Sequence, residues 1–564
     1  MEGAIRYYDQ LVTQFGETSK LEQRIFVSYA LINKGYCLTK IKQLQKASEC
    51  YDDILHRFGA AEELELCEQM ANALLNKSVC LNELNKPERA IECCDELIIR
   101  FGAADELQLR KSVASAFVNK GFYLIAFNEH EKAIECCDQL IIRFGGADEL
   151  QLQESVANAL VNNAACLREL KEYTKAIECC DIVINRFGAA EELQLHEPIA
   201  KALVNKAACL RELKEHTKAI ECCDIVINRF GAAKELQLHE PIAKALVSKG
   251  FCLQELNEHT KAIECCDVVI NRFGTADELV LREQVGQALV KKGAILSVLQ
   301  QPERAIECCD EMISRFGVAE ELVLREQVAQ ALFNKGTNWN ALKKLENAIQ
   351  CYSEVVNRFG AANELMLRKQ VSNALVNKSF SLMMLTKPHD AIECCDEVIT
   401  RFGTAVELEL REQVAKALIN KGNCLTDLKK IEKALECCDD LIGRFGAAGE
   451  LELRTEVGNA LINKGYNLQQ RNDPELAINC YDDVITQFGV AEELPLRKIT
   501  AKALHNKGVV LAGLKRRADS IACFSSIVNR LSTADDGECK EIVMRAATEL
   551  QSYARDWLVT PISK

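Results

Sequence analysis

The sequence predicts an all-α fold, an α-solenoid (superhelix) of about twelve antiparallel helix pairs. Three observations predict it. Phe-Gly recurs at Phe15, Phe58, Phe101, Phe144, Phe187, Phe230, Phe273, Phe316, Phe359, Phe402, Phe445 and Phe488, every step 43 residues, and a decayed thirteenth copy falls at Leu531. Within each copy apolar residues recur at helical spacing in two stripes parted by a polar break. No insertion disturbs the register, a constancy that separate domains of roughly 100–200 residues would not keep. Two copies are nearly identical: Cys166 to Val204 and Cys209 to Val247 differ only at Tyr173/His216 and Glu191/Lys234. Similarity between copies therefore records duplication as well as chemical demand.

Residues 1–16 read as a second helix without its first, so the N-terminal edge is expected to be uncapped or to continue a longer chain. Residues 17–531 hold twelve tandem 43-residue repeats. In one of them Ile242, Leu246, Gly250, Leu253 and Leu256 form the stripe of a first helix. The break Asn257-Glu258-His259-Thr260 follows, then Ala262, Ile263, Cys266, Val269 and Ile270 form the stripe of a second. Pro87, Pro302, Pro388 and Pro474 fall in this break, where the first turn of a helix needs no proline N–H. The second helix is expected to end at Phe-Gly, with the glycine as a left-handed C-cap. An acidic segment such as Thr275 to Glu283 leads into the next first helix. Pro198 and Pro241 lie inside this lead-in, which predicts a helix start or kink near Glu197 and Glu240. Residues 532–564 read as a C-terminal capping helix, Cys539 to Leu558, and a tail.

The repeat resembles the tetratricopeptide repeat (TPR). Gly250 matches the glycine where that family's two helices cross, Leu253 the large residue after it, and Ala262 the second-helix alanine. Cys266 stands where the family has an aromatic, which Tyr8, Tyr51, Tyr352, Tyr481 and Phe524 keep in other copies. The second-helix alanine recurs from Ala4 to Ala477 and gives way to Ser520. Two features depart from the family: 43 residues instead of 34, and Gly274 in place of the closing proline. Both imply longer helices and a modified superhelical pitch.

Composition narrows the function classes. The net charge is −14, which argues against a nucleic-acid partner. No run of about 18 apolar residues predicts a membrane span, and MEGAIRYYDQ lacks the form of a signal peptide, so a cytoplasmic location is expected. The 28 cysteines fall mostly in Cys-Cys pairs such as Cys93/Cys94 and Cys265/Cys266. Adjacent helical residues diverge by about 100° and cannot easily share a metal, and the Cys-x2–4-Cys spacing of zinc sites is missing. Tyr or Phe replaces these cysteines elsewhere, so they are read as buried, reduced packing residues. The histidines (His56, His130, His196, His216, His239, His259, His389, His505) form no repeated set, and no P-loop, GxSxG or HExxH motif occurs. Neither catalysis nor a cofactor is expected.

The distinctive polar feature is an asparagine in the first helices, usually as Asn-Lys-Gly: Asn33, Asn76, Asn119, Asn162, Asn205, Asn334, Asn377, Asn420, Asn463 and Asn506, with Ser248 and Lys291 interrupting. The resemblance implies that first helices line a concave groove and that this asparagine faces it. An amide can bond a peptide C=O and N–H at once. With helices roughly 8–10 Å apart, and closer on a concave face, one amide per repeat suits about every second residue of an extended chain. The family's carboxylate clamp needs a lysine just before the asparagine. Here that place is apolar (Ile32, Leu75, Val118, Val161), so an acidic C-terminal tail is not the expected ligand. The lysines that follow, from Lys34 to Lys507, are expected to pair with carboxylates flanking Cys-Cys. The arginines before Phe-Gly are expected to cap helix C-termini. The function expected is a protein–protein interaction scaffold binding an extended peptide or partner protein. The alternatives are a recognition arm of a larger enzyme or signalling protein, and a thiol-based redox or metal sensor.

Overall fold

A computed structural model describes residues 1–531 and 536–559. All regular structure among them is helical: twenty-six helices, from α1 (Glu2–Phe15) to α26 (Gly537–Val559). First helices, even-numbered from α2 (Leu21–Lys40) to α24 (Leu494–Gly513), have 20 residues. Second helices, odd-numbered from α3 (Leu44–Phe58) to α25 (Arg517–Leu531), have 15. The extra length of the repeat therefore sits in the first helix and the short linker before it. The segments 532–535 and 560–564, part of the expected capping region, lie outside the described residues.

The chain divides into two compact units, Met1–Ala288 and Leu289–Lys564, built on one internal plan. Second helices are amphipathic: in α5 (Pro87–Phe101) only Ala90, Cys93, Cys94, Leu97 and Phe101 are buried. First helices are buried over more of their circumference, eleven residues of α8 (Leu150–Glu169) being enclosed. Such helices belong between neighbours, not at the surface. Accordingly, α2, α4 (Leu64–Glu83), α6 (Leu107–Ala126), α8, α10 (Leu193–Glu212) and α12 (Leu236–Glu255) pack each on the next. In the second unit α16 (Leu322–Ala341), α18 (Leu365–Met384), α20 (Leu408–Asp427), α22 (Leu451–Gln470) and α24 do the same. Among the described residues no two second helices pack together. Within each unit the first helices thus form the tighter layer.

The turn chemistry differs from the sequence expectation. The glycine after each Phe is right-handed, for example Gly59 at φ −53° and Gly446 at φ −58°, and no glycine has positive φ. Its need is space: a Cβ on Gly446 would lie 2.6 Å from the carbonyl oxygen of Ile442. The left-handed residue sits instead at the end of each first helix and is never glycine: Lys42, Asn85, Asn128, Lys171 and their later equivalents. There the Lys86 N–H reaches the Leu81 carbonyl (2.9 Å) and the Asn85 N–H the Asn82 carbonyl (3.0 Å), the paired bonds of a Schellman turn. Pro87, Pro302, Pro388 and Pro474 do open second helices. Pro198 and Pro241 do not start helices: α10 and α12 begin at Leu193 and Leu236 and run on through them. Both prolines are the sixth residue of their helices, and the helical run continues on either side of them.

Neighbouring repeats are tied by polar contacts at fixed places. The lysine after the asparagine pairs with the aspartate that follows Cys-Cys, or its Tyr-Tyr and Cys-Tyr equivalents, in the preceding second helix: Lys34–Asp9, Lys77–Asp52, Lys335–Asp310 and Lys464–Asp439, each 2.6 Å. Asn163 replaces the lysine in one copy and still donates to Asp138 (2.7 Å). The arginine before Phe-Gly donates to the glycine carbonyl that ends the previous repeat's second helix, as Arg57 to Gly16 (2.9 Å) and Arg444 to Gly403 (3.2 Å). The capping expectation holds, but the helix capped is the neighbour's.

Candidate functional site

The first-helix layer carries the candidate surface. The ten asparagines occupy one helical position on it; Asn33 is exposed and the other nine are half-buried. Their amides are used unequally. Asn76 and Asn377 turn back on their own helices, donating to the carbonyls of Asn72 and Asn373 (2.9 Å each). Asn205 accepts from Arg168 Nη1 (3.3 Å), and Asn334 accepts from Gln330 Nε2 (2.7 Å). Asn420 donates to Ser379 Oγ (3.0 Å) and Asn463 to Asn423 Oδ1 (3.1 Å), each on the preceding first helix. Asn506 bonds Tyr481. The amides of Asn33, Asn119 and Asn162 make no hydrogen bond among the described residues, so these three retain their donors and acceptor.

A second row lies three residues further on, hence on the same face. Tyr36, Phe122, Phe380 and Tyr466 are between 49% and 55% exposed, and Val79 and Val509 are exposed beside them. Sequence reading missed this row because it followed the apolar stripe that packs inward. The available signal was an aromatic set outside that stripe, at a constant offset from the asparagine. In the near-identical copies Ala165 and Ala208 take these places. The missing rings open a groove of about 640 Å³ lined also by Arg168, Asn205, Arg211, Lys244 and Ser248. Its charges are largely internal: Arg168 pairs with Glu169 and Arg211 with Glu212 at 2.9 Å, and Lys244 with Glu240 at 2.5 Å.

The cysteines lie away from this surface chemistry. All are free thiols, and all but Cys37, Cys67 and Cys179 are buried. Burial pushes Cys93 up to about 11 and Cys94 up to about 12, so the protonated thiol is the form present at neutral pH. Cys137 packs against Gly121 at the helix crossing, its Sγ 3.0 Å from where a Cβ would stand. Among the described residues no three His, Cys, Asp or Glu side chains are placed to hold a metal. No described helix is long and apolar enough to cross a membrane. His130, His216 and His259 open second helices, and His196 and His239 stack on Phe230 and Phe273, with ring centroids 5.3 and 5.6 Å apart.

No protein-family model matches the chain. No curated protein matches it either. Solved structures similar to it include the apo form of RapI (13% identity, TM-score 0.45), spanning 66% of this chain and 99% of that one. The Cut9–Hcn1 hetero-tetramer of the APC/C is 10% identical, with a TM-score of 0.32 over 91% of this chain and 95% of that one. A Rap protein complexed with competence and sporulation factor is 13% identical, with a TM-score of 0.36 over 69% of this chain and 99% of that one.

Proposed function

We propose that this chain is a protein-interaction scaffold of tetratricopeptide-like repeats whose first-helix face takes an extended peptide or a partner protein's extended segment. One observation carries the reading: ten repeats present on that face an amide, and in four of them the residue three further on is a half-exposed aromatic. Exposed aromatics beside uncommitted amides suit a ligand held by its backbone and anchored by apolar side chains. The uncommitted amides narrow the strongest grip to α2, α6 and α8.

The test is capture of peptides from an array by the full chain and by Asn33→Ala/Asn119→Ala/Asn162→Ala. The reading expects wild-type protein to retain a set of peptides that the triple variant loses, with unchanged helicity. Capture that survives both this variant and Phe122→Ala/Tyr36→Ala would remove the first-helix face from the function.

A further inference from the structure

The turns between first and second helices change character along the chain. In Met1–Ala288 four successive second helices carry glutamate at the N-cap: Glu129, Glu172, Glu215 and Glu258. A lysine three residues on pairs with each, at 2.5–2.7 Å. In Leu289–Lys564 the same position is lysine in three successive helices, Lys344 in α17 (Leu345–Phe359), Lys387 in α19 (Pro388–Phe402) and Lys430 in α21 (Ile431–Phe445). Lys343 and Lys429 add charge at the left-handed residue before two of them, and Lys433 follows the third. All six are exposed, and none makes an ion pair among the described residues. Lys344 Nζ lies 4.9 Å over the ring of Trp339. The acids at these turns are Glu346, Asp390, Asp427 and Glu432, and Glu432 is already held by Arg471 (3.3 Å).

Two features say that stability did not select this arrangement. A cation at a helix N-terminus works against the helix dipole, as the single Lys86 does at α5 in the first unit, whereas the four successive glutamates of that unit work with it. And between α17 and α18 the inter-repeat ion pair is broken: Lys378 occupies the usual lysine place, but Ser353 stands where every other copy except the last, at Ser525, has aspartate. Negative charge has thus been removed at three turns and at Ser353, within a chain of net charge −14, while Asp396, Glu436 and Asp440 still line the furrow beside Lys430 and Lys433.

We propose that this turn edge, from Lys343 to Lys433, docks an acidic polypeptide segment. With repeats stacked about 10 Å apart, one turn meets one acidic side chain roughly every third residue of an extended strand. A polypeptide is favoured over nucleic acid because a long uniform polyanion would also meet the negative remainder of the chain, whereas a short acidic segment meets only the edge. The surface is separate from the first-helix face, so its failure and that of the scaffold reading are distinguishable.

The probe is a labelled synthetic peptide of about twelve residues with glutamate at every third position, titrated by fluorescence anisotropy against the full chain at low and high salt. The expected result is salt-sensitive binding, weakened by about tenfold or more in K344E/K387E/K430E and severalfold in S353D. Folding should be retained, since glutamate fills the same place in four other turns. K171E/K214E/K234E changes net charge equally and should bind as wild type. No binding, loss shared equally by that control, or tighter binding of single-stranded DNA or phosphatidylserine vesicles would each overturn the proposal.

Discussion

The ring of Tyr352 occupies the space that a side chain on Gly336 would need: a Cβ there would lie 2.9 Å from Tyr352 Cδ1 and Cζ. Tyr51 and Gly35, Tyr481 and Gly465, and Phe524 and Gly508 repeat the relationship. Where the second-helix residue is cysteine, the first-helix partner at the same spacing is free to be Ser78, Ala164, Ala207 or Ser379. Aromatic or thiol on one helix therefore decides glycine or small residue on the other.

Gly336→Ala should accordingly destabilise the second unit by about 1–3 kcal/mol through overpacking. Gly422→Ala, whose Cβ would meet nothing nearer than 3.7 Å, should be neutral or stabilise by up to about 1 kcal/mol through helix propensity. Urea denaturation of the two variants measures the contrast; equal effects would mean that the ring does not set the crossing distance.

The Lys206–Asp181 pair (2.5 Å) makes a pH prediction. Burial pulls the Lys206 ammonium down, but the hydrogen bond and charge of Asp181 outweigh it, and its pKa ends above the ordinary lysine value. Its contribution is fully present below about pH 10.4 and is lost as pH rises through the folded value. Since the pair is partly exposed, Lys206→Met should cost about 1 kcal/mol or less at pH 7. Lys206→Asn should cost less, because Asn163 makes the same bond to Asp138. Thermal melts at pH 7 and pH 11 check both statements.

At the acid end the glutamates that begin first helices matter. Glu407, bonded to its own backbone N–H and to Arg368 (3.1 Å), is held below the ordinary carboxylate range, as are Glu63, Glu364, Glu450 and Glu493. A depressed pKa contributes stability above the unfolded value of about 4.3, lost as pH falls through the folded one. Acid unfolding should therefore begin below about pH 4.3, and Glu407→Gln should flatten its onset. A variant whose acid midpoint is unmoved would assign the transition elsewhere.

The buried thiols predict alkaline lability. Unfolded cysteine ionises near pH 8.5, whereas Cys93, Cys94, Cys223 and Cys395 do so only at about 11 to 12 when folded. Each such thiol tips the balance toward unfolding by about 1.4 kcal/mol per pH unit above about 8.5. A thiol reagent at pH 8 should label the native chain slowly, beginning at Cys37, Cys67 and Cys179, and label the denatured chain rapidly. Prompt reaction at Cys94 in the native state would contradict its burial.

The fold was legible in the sequence wherever one residue type served one physical need. The 43-residue period, the paired stripes, the prolines that open second helices and the Lys–Asp pairing all repeat in register, so copy number reinforces a weak local signal. The left-handed turn was not legible, because lysine fills it at Lys42, Lys171, Lys214 and Lys343, and a lysine announces no positive φ. The Phe-Gly glycine misled because steric room and conformational freedom select the same residue. On the candidate surface the asparagine row stood out. Asn76, Asn334 and Asn377 are engaged four residues away on their own helices, but Asn205, Asn420 and Asn463 depend on neighbours 37 to 44 residues away, such as Arg168 for Asn205, and only the folded chain shows that.

The arginine clasp has a further consequence. Arg229 closes the helix that ends at Gly188, and Arg401 the one that ends at Gly360, so wherever the clasp forms among the described residues a repeat is finished by its successor. Dependence within each unit therefore runs one way. A break in the chain leaves the upstream fragment with open carbonyls, while the downstream fragment keeps every clasp beyond its first. Fraying, proteolytic trimming and attempts to shorten the array should accordingly be felt more sharply on the upstream side of a cut.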